Sequence, residues 1–129
     1  MALRLTLKPR ERVIVGGAAI RNGGSRALLL IENEVPVLRE SDILSPAAVR
    51  TPCQRIYLAL QLAYVDGARA AEHLAAYEIL ASDVRQAAPS LGPELDAIDE
   101  TVRAGRIYQA LKTAQGLLQR ERELVTHVH

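Results

Sequence analysis

Residues 3–43 read LRLTLKPRERVIVGGAAIRNGGSRALLLIENEVPVLRESDI, and the architecture of the chain turns on them. Leu3, Leu5 and Leu7 alternate with Arg4, Thr6 and Lys8, the period of a strand with one face in a core and one charged face in water. Pro9 has no amide hydrogen for a ladder and ends that strand near residue 8. Further strands are expected over 12–15 and 18–21, with Gly16-Gly17 as a tight turn or bulge. Asn22-Gly23-Gly24-Ser25 is the strongest turn signal, because Asn and Gly tolerate the positive φ of hairpin turns. The apolar run within residues 26–32 predicts the best strand, and Asn33-Glu34 another turn. A last strand follows over 35–39, with Pro36 marking it as an edge. Strands this short and close predict a small antiparallel β roll or barrel over residues 1–46.

Beyond residue 46 the period changes, and residues 47–129 predict a bundle of about four helices, so the fold class is α+β. Ser45-Pro46 looks like a cap opening at most a short turn through Val49. Thr51-Pro52-Cys53-Gln54 is a capping box with proline at the first helical position. It opens a helix to about Asp66, with Ile56, Leu60 and Ala63 on one face and Gly67 as its stop. Ala70, Leu74, Tyr77, Ala81 and Val84 stripe a second helix over about 68–87. Leu95, Ile98 and Val102 mark a third, halted at Gly105. Ile107, Leu111, Ala114 and Leu118 mark a fourth that fades near Val125, with residues 126–129 expected to fray. No internal repeat or low-complexity tract interrupts this pattern.

At 129 residues the chain fits one domain, or two subdomains sharing a core. It has no Phe or Trp and four Tyr, so aliphatic side chains must fill the interior. No run approaches the roughly 20 apolar residues that cross a bilayer. Arg4, Lys8, Arg10 and Arg12 also break up any secretory signal. A single cysteine, Cys53, rules out an intrachain disulfide and suits a reducing compartment. The expectation is a soluble, cytoplasmic protein.

No catalytic constellation emerges. Cys53 lies near a helix N-terminus, where the dipole lowers a thiol pKa, but its ordinary role is that of a small apolar residue. His73 follows Glu72 on an expected helix surface, and His127 with His129 lacks further metal ligands. The glycine pairs match no phosphate-binding loop or dinucleotide fingerprint. Glu94, Asp96, Asp99 and Glu100 cluster early in the third helix, where acids complement the helix dipole on a solvated face. No enzymatic activity, metal or cofactor is expected.

Charge is distributed unevenly. Residues 1–50 carry eight Lys or Arg against five Asp or Glu, and residues 51–129 eight against ten. Arg4, Lys8, Arg10, Arg12, Arg21 and Arg26, together with Arg39, are candidates for polyanion binding. The plainer reading is that outward charges keep the sheet soluble and discourage edge pairing. Residues 1–50 contain no aromatic, so an RNA contact here would use phosphates, guanidinium stacking and strand edges rather than an aromatic platform. In the helical half, Tyr57, Tyr64, Tyr77 and Tyr108 are candidates for a protein-binding groove, against core packing with a surface hydroxyl. The short edge strands leave homo-oligomerisation open.

Three segments carry a family resemblance: LKPRERVIVGGAAIRNGG (7–24), LLIENEVPVLRESDIL (29–44) and TPCQRIYLALQLAYVD (51–66). The LKP-x-E opening, the NG turn, the VLRE-x-DI segment and TP followed by IY stand in order at the right spacing. Over nearly its whole length the chain resembles the FlbT family of flagellar biosynthesis regulators. The resemblance implies post-transcriptional control of flagellin through the 5′ untranslated region of its mRNA, by repressing translation or promoting decay. Some members activate instead, and a small flagellar protein, FlaF, works with or against them. The β half is more loosely similar to CsrA, which reads RNA with basic residues on strand edges; this is analogy at the level of fold. A flagellin- or FlaF-binding adaptor that affects the mRNA indirectly is the alternative implied.

Overall fold

A computed structural model describes the chain over residues 2–127, divided into two compact units that meet in sequence between Ile43 and Leu44. The first unit holds five strands in two antiparallel sheets. Strand β1 (Leu3–Leu7) pairs with β4 (Ala27–Ile31). Strand β2 (Arg12–Val15) lies between β3 (Ala18–Arg21) and β5 (Val37–Arg39). The sheets are separate, and no barrel closes.

Alternation explains the core of this unit. Leu5 and Leu7 point inward from β1 to meet Val13, and Val15, Leu29, Ile31 and Val37 pack around them. Gly16 and Gly17 take φ of 58° and 87° and place Val15 opposite Ala18, the two-residue hairpin in which both central residues need positive φ. The segment after β3 behaves differently from the expected hairpin turn. Neither Gly23 nor Gly24 has positive φ, and the chain crosses from one sheet to the other instead of reversing on itself. The separation of the sheets follows from this crossing. Pro36 precedes β5, where its carbonyl accepts the Gly16 amide at 2.9 Å.

The second unit holds α1 (Pro52–Val65), α2 (Ala70–Ala87), α3 (Gly92–Arg103) and α4 (Ile107–His127). Helix α1 packs against α2 and α4, and α4 against α3. Ile56, Leu60, Leu95, Ile98, Leu111 and Leu117 are fully buried aliphatics of these helices. The stripe on α4 runs through Ala110, Leu111, Ala114 and Leu117, so Leu117 rather than Leu118 takes the core position. The capping box at Thr51 and Gln54 is formed on both arms. Ser45 makes no side-chain cap, and Pro46–Ala48 is a single 3-10 turn. Gln61 is buried; its side chain accepts the Leu44 amide at 2.8 Å and donates to the Leu44 carbonyl at 3.0 Å, tying the segment ahead of α1 to that helix.

Glu121 on α4 supplies a second cap to α1 from 68 residues away. Its carboxylate accepts the Cys53 amide at 3.1 Å and the Thr51 hydroxyl at 2.5 Å. Anions at helix N-termini are favourable, so Glu121→Ala should cost about 1–2 kcal/mol, read by urea unfolding. The same arrangement settles the chemistry of Cys53. Burial, then the hydrogen bond and charge of Glu121, push the thiol up to about 12. Cys53 is thus a neutral core residue at physiological pH, and its alkylation should be slow when folded and fast in denaturant. Because the unfolded thiol ionises near 9.0 and the folded one near 12, the unfolded state binds fewer protons between those values. Stability should therefore fall with rising pH across that window, by up to about 1.4 kcal/mol per unit. Cys53→Ala should flatten the slope between pH 8 and 9.5, whereas the raised phenol of Tyr77 keeps a fall in stability at higher pH.

Candidate nucleic-acid interface

The ladder registers of the β unit decide where its cations stand. Leu7 faces Ala27, so Lys8 and Arg26 leave the β1–β4 ladder at the same end. Arg12 faces Arg21 across β2–β3. Beyond that pair the two chains stay joined, with the Arg10 amide donating to the Asn22 carbonyl at 2.7 Å and the Asn22 amide to the Glu11 carbonyl at 2.9 Å. Asn22 then ties the two sheets together. Its side-chain amide donates to the carbonyls of Leu7 and Lys8, each at 3.1 Å, and of Ser25 at 2.9 Å. Its side-chain Oδ1 accepts the Gly24 amide at 3.1 Å. One asparagine thereby gathers Lys8, Arg10, Arg12, Arg21 and Arg26 at one end of the unit.

Two carboxylates stand among these five cations, and both are engaged. Glu11 accepts the Lys8 backbone amide at 2.8 Å. Glu40 lies 3.6 Å from the Arg12 guanidinium and accepts the Arg12 amide at 3.3 Å. Like charges directly opposite on neighbouring strands repel; Glu40 offsets part of this for Arg12, and Arg21 turns to donate to the Arg10 carbonyl at 3.0 Å. Lys8, Arg10, Arg21 and Arg26 are exposed. Arg10 has φ of 68°, a left-handed conformation otherwise taken here by glycines, and side chains other than Gly, Asn or Asp reach it at a cost of about 1 kcal/mol.

The other two basic candidates are not bonded to Asn22. Arg4 faces Leu30 further along β1, and Arg39 faces Val13 on the edge strand β5. Both are exposed, outside the cluster that Asn22 organises.

The tyrosines divide. Tyr57 and Tyr77 are buried, with relative exposures of 3% and 1%, and offer a partner no surface. Tyr64 and Tyr108 meet with ring centroids 5.4 Å apart, and the Lys112 ammonium lies 5.4 Å from the Tyr108 ring. They line an open groove of ≈ 410 Å³ with Arg106 and Gly105. Of the four, only this pair can meet a partner.

Two further expectations change. Three of the four acids of α3 form cross-helix pairs, Arg85 binding Asp96 at 2.8 Å and Asp99 at 2.7 Å and Arg120 binding Glu94 at 3.1 Å, while Asp96 and Glu100 remain exposed to solvent as expected. Tyr77 donates its hydroxyl to Asp99, and burial followed by that bond pushes the phenol well above its ordinary value. His73 is largely covered and lies 3.1 Å from Asp66, so it is no surface histidine. The His127 and His129 side chains lie outside the described residues. Among the described residues no group of three or more His, Cys, Asp or Glu is placed to hold a metal ion.

Fold and surface together define a small α+β protein with a cationic β unit and a helical unit, with no helix among the described residues long and apolar enough to cross a membrane. The family model described as flagellar protein FlbT matches residues 3–125, and the chain belongs to that family. It is 44% identical over 125 residues to the probable flagellum biosynthesis repressor protein FlbT 1 of Bradyrhizobium diazoefficiens, covering 96% of this chain and 85% of that one. A Rhodopseudomonas palustris relative named probable flagellum biosynthesis repressor protein FlbT is 35% identical, over 98% of this chain and 99% of its own. The flagellum biosynthesis repressor protein FlbT of Caulobacter vibrioides is 34% identical, over 99% and 92%. No solved structure matches the chain.

Proposed function

We propose that this protein regulates flagellum biosynthesis, and that it does so in the cytoplasm by binding the 5′ untranslated region of flagellin mRNA through the cationic end of its β unit, repressing translation or promoting decay. The reading rests on one observation above all: Arg12 opposite Arg21, with Lys8, Arg10 and Arg26 drawn around Asn22. Concentrating like charge destabilises a fold, and a bound polyanion relieves it. Guanidinium groups at a strand end can contact phosphates and stack on unpaired bases without aromatic rings. The names of its relatives, flagellum biosynthesis repressor proteins, support the biological setting.

The test is binding of the purified protein to labelled flagellin leader RNA and to a shuffled RNA at several salt concentrations. Four to five phosphate contacts give a log–log salt slope of roughly −3 to −3.5 on single strands. A leader preference with that slope supports direct recognition, whereas equal binding of both RNAs reduces the cluster to nonspecific electrostatics. Absence of binding overturns the reading and favours an adaptor that holds FlaF or flagellin. The exposed Tyr64–Tyr108 groove is the surface that would serve that second reading.

A further inference from the structure

The run Arg26-Ala27-Leu28-Leu29-Leu30-Ile31-Glu32 has a symmetry that folding within one chain does not use. Its inward residues Leu29 and Ile31 pack on the β core. Its outward residues are Arg26, Leu28, Leu30 and Glu32, all exposed, with Leu28 at 52% and Leu30 at 56%. Among the described residues β4 is paired on one side only, by β1. Its other edge therefore carries unsatisfied ladder groups beside two exposed leucines.

We propose that β4 is a self-association strand, pairing antiparallel with β4 of a second copy about a two-fold axis at Leu29. In that register residues n and 58 − n face each other. Leu28 then meets Leu30 of the other copy, twice, and Arg26 meets Glu32 of the other copy, twice. Apolar residues oppose apolar ones and cation opposes anion at both ends, as an isologous interface requires. The two-fold axis passes through the Leu29–Leu29 pair, which an antiparallel ladder accepts as either a hydrogen-bonded or a non-hydrogen-bonded pair. The two-stranded sheet becomes a four-stranded one, and the leucines leave water together.

The free edge of β1 does not compete on these terms. Centred on Leu5 it sets Arg4 against Thr6, and centred on Thr6 it sets Arg4 against Lys8, so no arrangement offers a charge match. The self-complementary order Arg26, Leu28, Leu30, Glu32 is what assigns a second copy of this chain as the occupant of the β4 edge. This inference does not rest on the RNA reading, although Arg26 belongs to both surfaces, so self-association is measured without nucleic acid.

The test is sedimentation velocity on the full chain, without RNA and at low salt, over micromolar to hundreds of micromolar concentrations. The wild-type protein should show a monomer–dimer equilibrium. Arg26→Glu and Glu32→Arg each place like charges in both end pairs and should weaken dimerisation about tenfold or more. An equimolar mixture of the two variants restores opposite charges at both ends, and so should the doubly substituted chain, each returning near wild-type association. Both sites are exposed, and circular dichroism confirms folding. A wild-type protein that stays monomeric throughout, a dimer indifferent to either substitution, or a mixture no tighter than its components would each overturn the proposal.

Discussion

A chain carrying Lys8→Ala, Arg10→Gly and Arg21→Ala should bind the flagellin leader about 100-fold more weakly at moderate salt, with its log–log slope shallower by about 2. The three positions remove cations from the end of the β unit while leaving its scaffold. Asn22 bonds to backbone carbonyls of Leu7, Lys8 and Ser25, none of which the substitutions delete. Arg12 and Glu40 remain paired, and Arg26, which precedes β4, is kept because it also enters the proposed self-association. Arg10→Gly has a further use. With φ at 68°, glycine fits that position better than arginine, so the single variant should be as stable as the wild type or about 0.5–1 kcal/mol more stable. Thermal unfolding paired with RNA titration would then show affinity falling while stability holds or rises. A structural role for Arg10 requires both to fall together.

The largest stability effect should come from Asp99. Its carboxylate accepts the Tyr77 hydroxyl and one arm of Arg85, joining α2 to α3. Tyr77 is almost fully buried, so Asp99→Ala leaves a hydroxyl without its acceptor and a guanidinium with Asp96 alone. The expected loss is about 2–3 kcal/mol, or roughly a 10 °C drop in Tm for a chain of this size. Tyr77→Phe should cost less, about 1 kcal/mol, because the carboxylate keeps Arg85. Combining the two changes should cost much less than their sum, since each removes the same bond. Full additivity in that cycle would mean that the Tyr77–Asp99 contact contributes nothing to stability.

Much of the architecture was legible in short windows. The alternation of Leu3, Leu5 and Leu7 announced β1, and the capping box at Thr51 and Gln54 marked the start of α1. The Gly16-Gly17 pair announced the β2–β3 hairpin. In each case the signal and its structural consequence lie within a few residues, and local backbone geometry is enough to link them. The same holds for the candidate cations, which any count of charge along residues 1–50 picks out.

Tertiary structure decided the rest, because the deciding partners are far apart in the chain. Asn22 carried an ordinary turn signal, yet its side chain reaches back to Leu7 and Lys8 to join two sheets, held beside them by backbone bonds to Arg10 and Glu11 that the local turn signal does not announce. Which cations lie near one another follows from ladder registers that no spacing encodes: Arg12 faces Arg21, Arg4 stands further along β1, and Arg39 faces Val13 one rung from Arg12. Glu121 caps α1 from the far end of the helical unit, and the α3 acids find Arg85 and Arg120 on other helices. Tyr57 and Tyr77 are buried while Tyr64 and Tyr108 line an open groove, although all four looked alike in sequence. Periodicity tells a residue which side of its own element it occupies; what lies across from that side is set only when distant elements pack.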